Sequence, residues 1–133
     1  MTTQDMKQHS HTSLLDSFEH LAHHIEAALE YAHGSHTLLD VLDAIKENRA
    51  QFFPLPNSAI VTEIVDYPQR SVCRIWLAGG DMDELLEAEK VIERWAKKLG
   101  CTGMEIIGRK GWEKQMKDYK PASVVLVKDI SDE

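Results

Sequence analysis

The chain has 133 residues, which is the size of one domain with a hydrophobic core of its own. Its 22 acidic and 15 basic residues give a net charge of −7, which disfavours broad nucleic-acid binding because phosphate backbones are repelled. No apolar run is long enough to span a bilayer, the N-terminus has no leader-like apolar stretch, and two cysteines are too few for a disulfide framework. We therefore expect a cytoplasmic protein without a membrane or nucleic-acid partner.

The N-terminal third is predicted to be helical. Residues 1–11 are polar and aperiodic, which indicates a flexible tail, and residues 12–133 form the domain. Apolar residues recur every three or four positions from Leu14 to Leu29, so a helix is predicted over 13–32, within an N-terminal helical segment 12–34. A shorter helix follows, with Thr37 as its N-cap. The apolar stripe of the first helix either covers the domain's own sheet or packs against another subunit.

The rest of the chain alternates between strands and helices. Two prolines make the segment 52–58 a predicted loop. A strand that follows a helix after a strand forms a parallel βαβ unit, so the fold class is a mixed α/β sheet with flanking helices. The predicted elements, in chain order, are strands 59–65 and 71–78, which are expected to form a hairpin, then helix 81–99, strand 104–107, helix 111–119 and strand 123–128.

The second half of the chain resembles a known superfamily. The resemblance is carried by the helix Leu85–Leu99, the strand Met104–Ile107, the segment Gly108-Arg109-Lys110-Gly111-Trp112 and the closing strand Val124–Lys128. In this succession the chain resembles the GNAT superfamily of N-acetyltransferases over about residues 37–128. The glycine- and tryptophan-containing segment looks like a group of GNAT-like proteins from bacteriophages and prophages. The resemblance implies a GNAT-like core over 37–133 with an extra N-terminal helix.

The resemblance also implies where a cofactor would bind. Enzymes of the superfamily hold the pyrophosphate of acetyl-CoA on the turn that enters the long helix, where backbone amides and the helix N-terminus favour an anion. If coenzyme A binds here, the corresponding residues are Ala78, Gly79, Gly80, Asp81 and Met82. The turn departs from the family pattern, because its basic residue is missing, it is shorter, and acidic side chains crowd it. Asp81 is also the expected N-cap of the helix.

The catalytic residues of the superfamily are not clearly present. The tyrosine that protonates the departing thiolate is replaced by Met116, and Tyr119 would substitute only with a shift of helix register. Glu63 is the nearest candidate general base, because the first strand of the hairpin lines the acceptor site in such enzymes. The favoured interpretation of Glu63 is nevertheless an ordinary outward-facing, solvated residue, so the catalytic residues are unknown.

Three further groups of residues are candidate sites. His20 and His24 have the spacing that can hold one metal ion, but no third ligand is identifiable, so no metal is expected and a solvated helix face is favoured. Cys73 and Cys101 are expected to be free buried thiols. The third group follows a strand end and consists of Arg109, Lys110 and Trp112. These residues either contact an anion or an acidic partner, or they are ordinary solvated surface residues.

Two functions remain open. The favoured one is a non-catalytic GNAT-like module without a cofactor, a phage or prophage protein of the virion or its assembly, located in the host cytoplasm or the virion. Such a protein would bind other protein subunits, with helix 13–32 as a candidate contact, in an oligomer or larger assembly. The alternative is an N-acyltransferase that uses acetyl-CoA, with an atypical pyrophosphate loop.

Overall fold

The computed structural model describes residues 10–108 and 111–131, with side chains described from residue 14 onward. Residues 1–9, most of the predicted tail, lie outside this range, and residues 10 and 11 belong to the first helix. The elements in chain order are α1 (Ser10–Leu29), α2 (Leu38–Lys46), β1 (Gln51–Leu55), β2 (Ser58–Tyr67), β3 (Arg70–Gly80), α3 (Met82–Lys98), β4 (Gly103–Ile106) and α4 (Trp112–Gln115).

The four strands form one mixed sheet in the order β1-β2-β3-β4. The pairs β1–β2 and β2–β3 are antiparallel, and β3–β4 is parallel. This confirms the mixed α/β class, the predicted hairpin and the predicted βαβ unit. None of the helices in the described part of the chain is long and apolar enough to cross a membrane.

Helices cover both faces of the sheet and create two apolar clusters. On one face, Phe18, Leu21 and Ile25 of α1 pack with residues of α2 and of the sheet. On the other face, Leu85 and Ile92 of α3 pack against strand residues and Cys101. The stripe of α1 therefore covers the domain's own sheet, which was one of the two alternatives. The sheet lies between α1 and α2 on one side and α3 on the other.

A β-bulge at Trp76 shifts the alternation of side chains along β3 by one residue. Val61 of β2 is opposite Leu77, whereas the next residue, Thr62, is opposite Ile75, so Trp76 is the extra residue on β3. As a result Ile75 packs on the α3 side and Leu77 packs on the α1 side, although residues two apart in a regular strand share a face.

The predicted helix ends are confirmed where capping residues mark them. Thr37 and Asp40 form a reciprocal capping box at the start of α2. The carboxylate of Asp81 accepts a hydrogen bond from the amide of Glu84 at the start of α3. Gly100 follows α3 with a φ of +96°, a left-handed conformation that glycine adopts without steric cost.

The predicted loop at 52–58 is wrong in its first half, because β1 occupies Gln51–Leu55 and includes Pro54. Proline cannot donate a ladder hydrogen bond, but β1 lies at the edge of the sheet, where a missing donor is tolerated. The prolines excluded a central strand correctly and did not exclude an edge strand.

The predicted strand 123–128 is also wrong, since residues 121–131 have neither helix nor strand structure. The predicted helix 111–119 is shortened to Trp112–Gln115. A run of β-branched residues has high strand propensity, but a strand exists only where a partner backbone pairs with it. Within the described residues this run has no such partner.

Gly79 allows α1 to approach the sheet at backbone contact distance. A Cβ atom built on Gly79 would lie 2.8 Å from the carbonyl oxygen of His24, in the middle of α1. The neighbour Gly80, with a φ of +125°, faces the backbone of Asn57 and Ser58 just as closely. Both glycines are therefore required by packing within the domain.

We predict that Gly79→Ala lowers the free energy of unfolding by about 1–3 kcal/mol, because the added methyl group must push α1 away from the sheet. Denaturant unfolding measures the change. The matched control is Gly111→Ala, since Gly111 has a φ of −59° and open space around its Cβ position. That control should leave stability unchanged or raise it by up to ~1 kcal/mol. Equal losses in the two variants would contradict the close approach.

Candidate functional site

The turn from β3 to α3 is occupied by hydrogen bonds within the domain. The amide of Asp81 donates to the hydroxyl of Ser58 at 2.9 Å and lies 3.3 Å from the carbonyl of Asn57. The amide of Glu84 donates to Asp81, and the amide of Leu85 donates to the Asp81 carbonyl at 3.0 Å. These three amides at the start of the helix are therefore not free to bind an anion.

Glu84 ties this turn to the β1–β2 hairpin. Its carboxylate accepts hydrogen bonds from the Ser58 hydroxyl at 2.7 Å and from the Asn57 amide at 3.0 Å. Ser58 is fully buried, so the pair of a hydroxyl donor and an ionised acceptor is a strong local constraint. Ser58 accepts from Asp81 while it donates to Glu84, so one buried hydroxyl completes the helix cap.

The turn is a poor fit to the pyrophosphate of coenzyme A. The five candidate residues, Ala78 to Met82, are brought together, and Gly80 is exposed, but α1 lies against Gly79 and the hairpin backbone lies against one side of Gly80. Asp81, Asp83 and Glu84 place three carboxylates at the same corner. At ~4 Å each like-charge pair costs about 1 kcal/mol in water and more near a protein surface.

Glu63 lies on the α1 side of the sheet and lines a polar pocket of about 520 Å³. Its carboxylate is 3.6 Å from the guanidinium of Arg74, which also donates to Glu105. Glu63 is thus paired and half-buried, and 34% of its side chain is exposed to solvent. The pocket lining includes Arg49 and four carboxylates, those of Asp40, Asp43, Glu47 and Glu63.

Tyr119 lies on the opposite face of the sheet. Its hydroxyl is buried and has no hydrogen-bond partner among the described residues. Burial, followed by the nearby carboxylates of Glu89 and Glu93, raises the pKa of Tyr119 well above its ordinary value. A phenol with a raised pKa is a weaker proton donor at neutral pH.

The structure therefore does not bring the two catalytic candidates together. Glu63 and Arg74 pair on the α1 side, whereas Tyr119 is close to Cys73, whose side chain packs on the α3 side. The turn from β3 to α3 lies beside Ser58, which is opposite Gly80. Ser58 and Glu63 are five residues apart along β2, a distance of about 17 Å in an extended strand. Base, acid and phosphate-binding candidates occupy three separate places.

The predicted contact group is only partly described. Arg109 and Lys110 lie outside the described residues. Trp112 packs against the α3-side cluster, and its ring lies so close to Gly108 that a Cβ there would be 2.8 Å from Trp112 Cδ1. Trp112 is half-buried, so its indole has a packing role and part of its surface faces solvent.

The histidines of α1 lie beside the turn. The rings of His23 and His24 are 3.9 Å apart. Partial burial and then the neighbouring His23 lower the pKa of His24, while Glu84 acts in the opposite direction. Within residues 10–108 and 111–131, no group of three or more His, Cys, Asp or Glu side chains is arranged to hold a metal ion.

Glu89 was missed by sequence reasoning. It is only 7% exposed and lies on the buried face of α3 between Leu85 and Ile92. Burial and then the neighbouring Glu93 raise the pKa of Glu89. The signal was its spacing, because residues 85, 89, 92 and 96 share one helix face, and a charged residue on an apolar stripe is informative.

Comparison of the chain with protein-family models and with the curated proteins gives no match. Function must therefore be argued from the geometry of these sites.

We predict that Glu89→Gln raises the free energy of unfolding at neutral pH by roughly 1 kcal/mol, because the variant removes a carboxylate that must ionise in a buried place. The pKa of Glu89 is higher in the folded state than its ordinary value of 4.5. The contribution of Glu89 to the free energy of unfolding of the wild type is therefore greatest at low pH, where Glu89 is protonated, and it decreases as the pH rises through the folded-state pKa. Urea unfolding should thus show a gap that is widest near neutral pH and closes below 4.5. Glu87→Gln on the exposed side of the same helix is the control and should show no such gap.

Both cysteines should resist alkylation in the native protein. Cys73 and Cys101 are free and buried, and burial raises the pKa of Cys73 to about 11 and also raises that of Cys101. Only the thiolate is reactive, so iodoacetamide should modify neither residue at neutral pH and both after denaturation. Mass spectrometry counts the added groups. Rapid modification of Cys73 in the native state would contradict this burial.

Proposed function

We propose that this chain is a non-catalytic module of GNAT-like fold that acts by binding other protein subunits, in a phage or prophage virion or in its assembly. The observation that carries the proposal is the turn at Gly79–Met82, which the domain fills with its own α1, hairpin and acidic side chains. In an acetyltransferase this corner must stay open and favour phosphate.

The fold analogy supports the GNAT-like part of the proposal. Antiparallel strands lead into a long helix and then into a parallel strand, which is part of the succession that the resemblance implies, although the closing strand expected at 124–128 is not formed. Fold alone does not assign an activity, so the argument against catalysis rests on the site. There, Glu63 and Tyr119 lie on opposite faces of the sheet, and Tyr119 holds its proton tightly.

Exposed apolar side chains support a role in protein contacts. Leu39 on α2 is 63% exposed, and the segment after α4 exposes further large side chains. Because the apolar face of α1 is used within the domain, a contact through helix residues 13–32 would fall on its outward side, which carries Glu19, His20 and His23. We therefore propose an oligomer or larger assembly located in the host cytoplasm or the virion.

The proposal is tested by thermal unfolding of the full chain with acetyl-CoA, coenzyme A and adenosine diphosphate. A ligand at 100 times its dissociation constant stabilises the native state by about 2.7 kcal/mol, so binding would raise the Tm by several degrees. We expect no rise with any of the three, because the turn offers carboxylates where phosphate would lie.

The matched variant is Asp83→Asn, which removes an exposed carboxylate from the first turn of α3. If pyrophosphate binds at this turn, the variant should bind it more tightly than the wild type, and the acyltransferase alternative would replace our proposal. A Tm unchanged in both proteins supports the non-catalytic module.

Association with a virion has a separate test. Particles purified from the source organism should contain peptides of this chain by mass spectrometry, in a constant ratio to the major structural protein. Absence of the peptides from intact particles and from assembly intermediates would contradict this part of the proposal.

A further inference from the structure

The segment after α4 exposes an unbroken apolar run. The exposed fractions are 81% for Val124, 76% for Val125, 89% for Leu126 and 59% for Val127, and Ile130 is 93% exposed. Odd- and even-numbered residues of this run are all more than half exposed, so the side chains on neither side of the segment are buried against the domain. Four consecutive large apolar side chains are unfavourable in water and mark a surface that is covered in use.

The same chain carries an open sheet edge of matching length. The four-residue strand β4 lies at the end of the sheet, and within the described residues its outer side is not paired with another strand. An open edge offers backbone donors and acceptors to any extended segment. The run Val124–Val127 has the β-branched character of a strand and lacks only a partner.

The domain's own edge would bury only half of this run. In a strand beside β4, two side chains would lie on the α3 side, where Met104 and Ile106 pack against the core. The other two would lie beside Glu105, whose carboxylate pairs with Arg74 and Tyr67 on a half-exposed polar face. A strand that is apolar on both faces needs cover on both, and one copy of the domain supplies it on one face only.

We propose that residues 123–128 of one copy pair with β4 of a second copy, and that the reciprocal exchange forms a symmetric dimer. Each copy then completes the other's sheet, and the second copy covers the side of the strand that a monomer leaves in water. Such an interface uses the same surfaces on both subunits and closes at two copies. The proposal deepens the proposed function, because it rests on the chain acting by protein contact and names one such contact.

The mass of the full chain in solution tests this proposal. Light scattering and sedimentation equilibrium should give twice the chain mass of 15.1 kDa. Val125→Pro removes a backbone donor from the exchanged strand and Leu126→Lys places a charge in it, so each should weaken dimerisation at least tenfold. Both residues are exposed in the single copy, so the fold of each variant should persist, which circular dichroism checks.

Val91→Lys is the control. Val91 is 55% exposed on α3, away from the β4 edge, and the substitution makes the same kind of change from apolar to charged. This variant should remain a dimer. A dimer that survives Val125→Pro and Leu126→Lys would overturn the proposal, because its interface would lie elsewhere.

Amide hydrogen exchange identifies the strand partners. In the dimer, slow exchange is expected at residues 124–127 and at the outward-facing amides of Gly103–Ile106, and these two protections should be lost together in Val125→Pro, while the β4 amides bonded to β3 stay protected. A monomer at all concentrations overturns the proposal, whether the segment is protected on its own sheet edge or exchanges freely. That failure would leave the proposed function standing, since its own test is the absence of stabilisation by coenzyme A.

Discussion

The contact between the backbone of α1 and Gly79 is the constraint on which the rest of the structure depends. A helix normally packs on a sheet through its side chains, but here a carbonyl of α1 lies where a side chain of β3 would stand. This approach lets Phe18, Leu21 and Ile25 reach the sheet and form one of the two apolar clusters. It also places His24 beside the N-terminal turn of α3, so the helix packs against one side of the corner where the resemblance implies a ligand.

The polar interactions at this corner follow from the same packing. Where α1 and the hairpin pack against the turn, the amides of Asp81 and Glu84 find their acceptors within the domain. Asp81 and Ser58 supply the acceptors, and Glu84 holds Ser58 in place. The carboxylates that make the turn unsuitable for phosphate are thus the groups that make it stable without a ligand.

Local signals predicted most of the fold and little of the site. The helix stripes, the Thr37 and Asp81 caps and the hairpin 59–78 depend on nearest neighbours along the chain, and all are confirmed. The edge strand β1 and the missing strand at 123–128 depend on which backbone lies alongside, and residue propensity carries no information about that. The three site candidates were placed by resemblance, which does not encode the packing of α1 against the turn or the burial of Glu89.

The extra residue at Trp76 sets the phase of the central strand. Before Trp76, the odd-numbered residues Cys73 and Ile75 face the α3 layer. After Trp76, the odd-numbered Leu77 faces the α1 layer. Gly79 shares the new phase, which is why a residue without a side chain is opposite α1. If the strand instead continued through Trp76 without a bulge, regular alternation would exchange the two faces of residues 77–80 and would present Ala78 instead of Gly79 to the helix. The docking of the N-terminal helix is thus coupled to the bulged backbone at Trp76, in a strand that the helix does not adjoin in sequence.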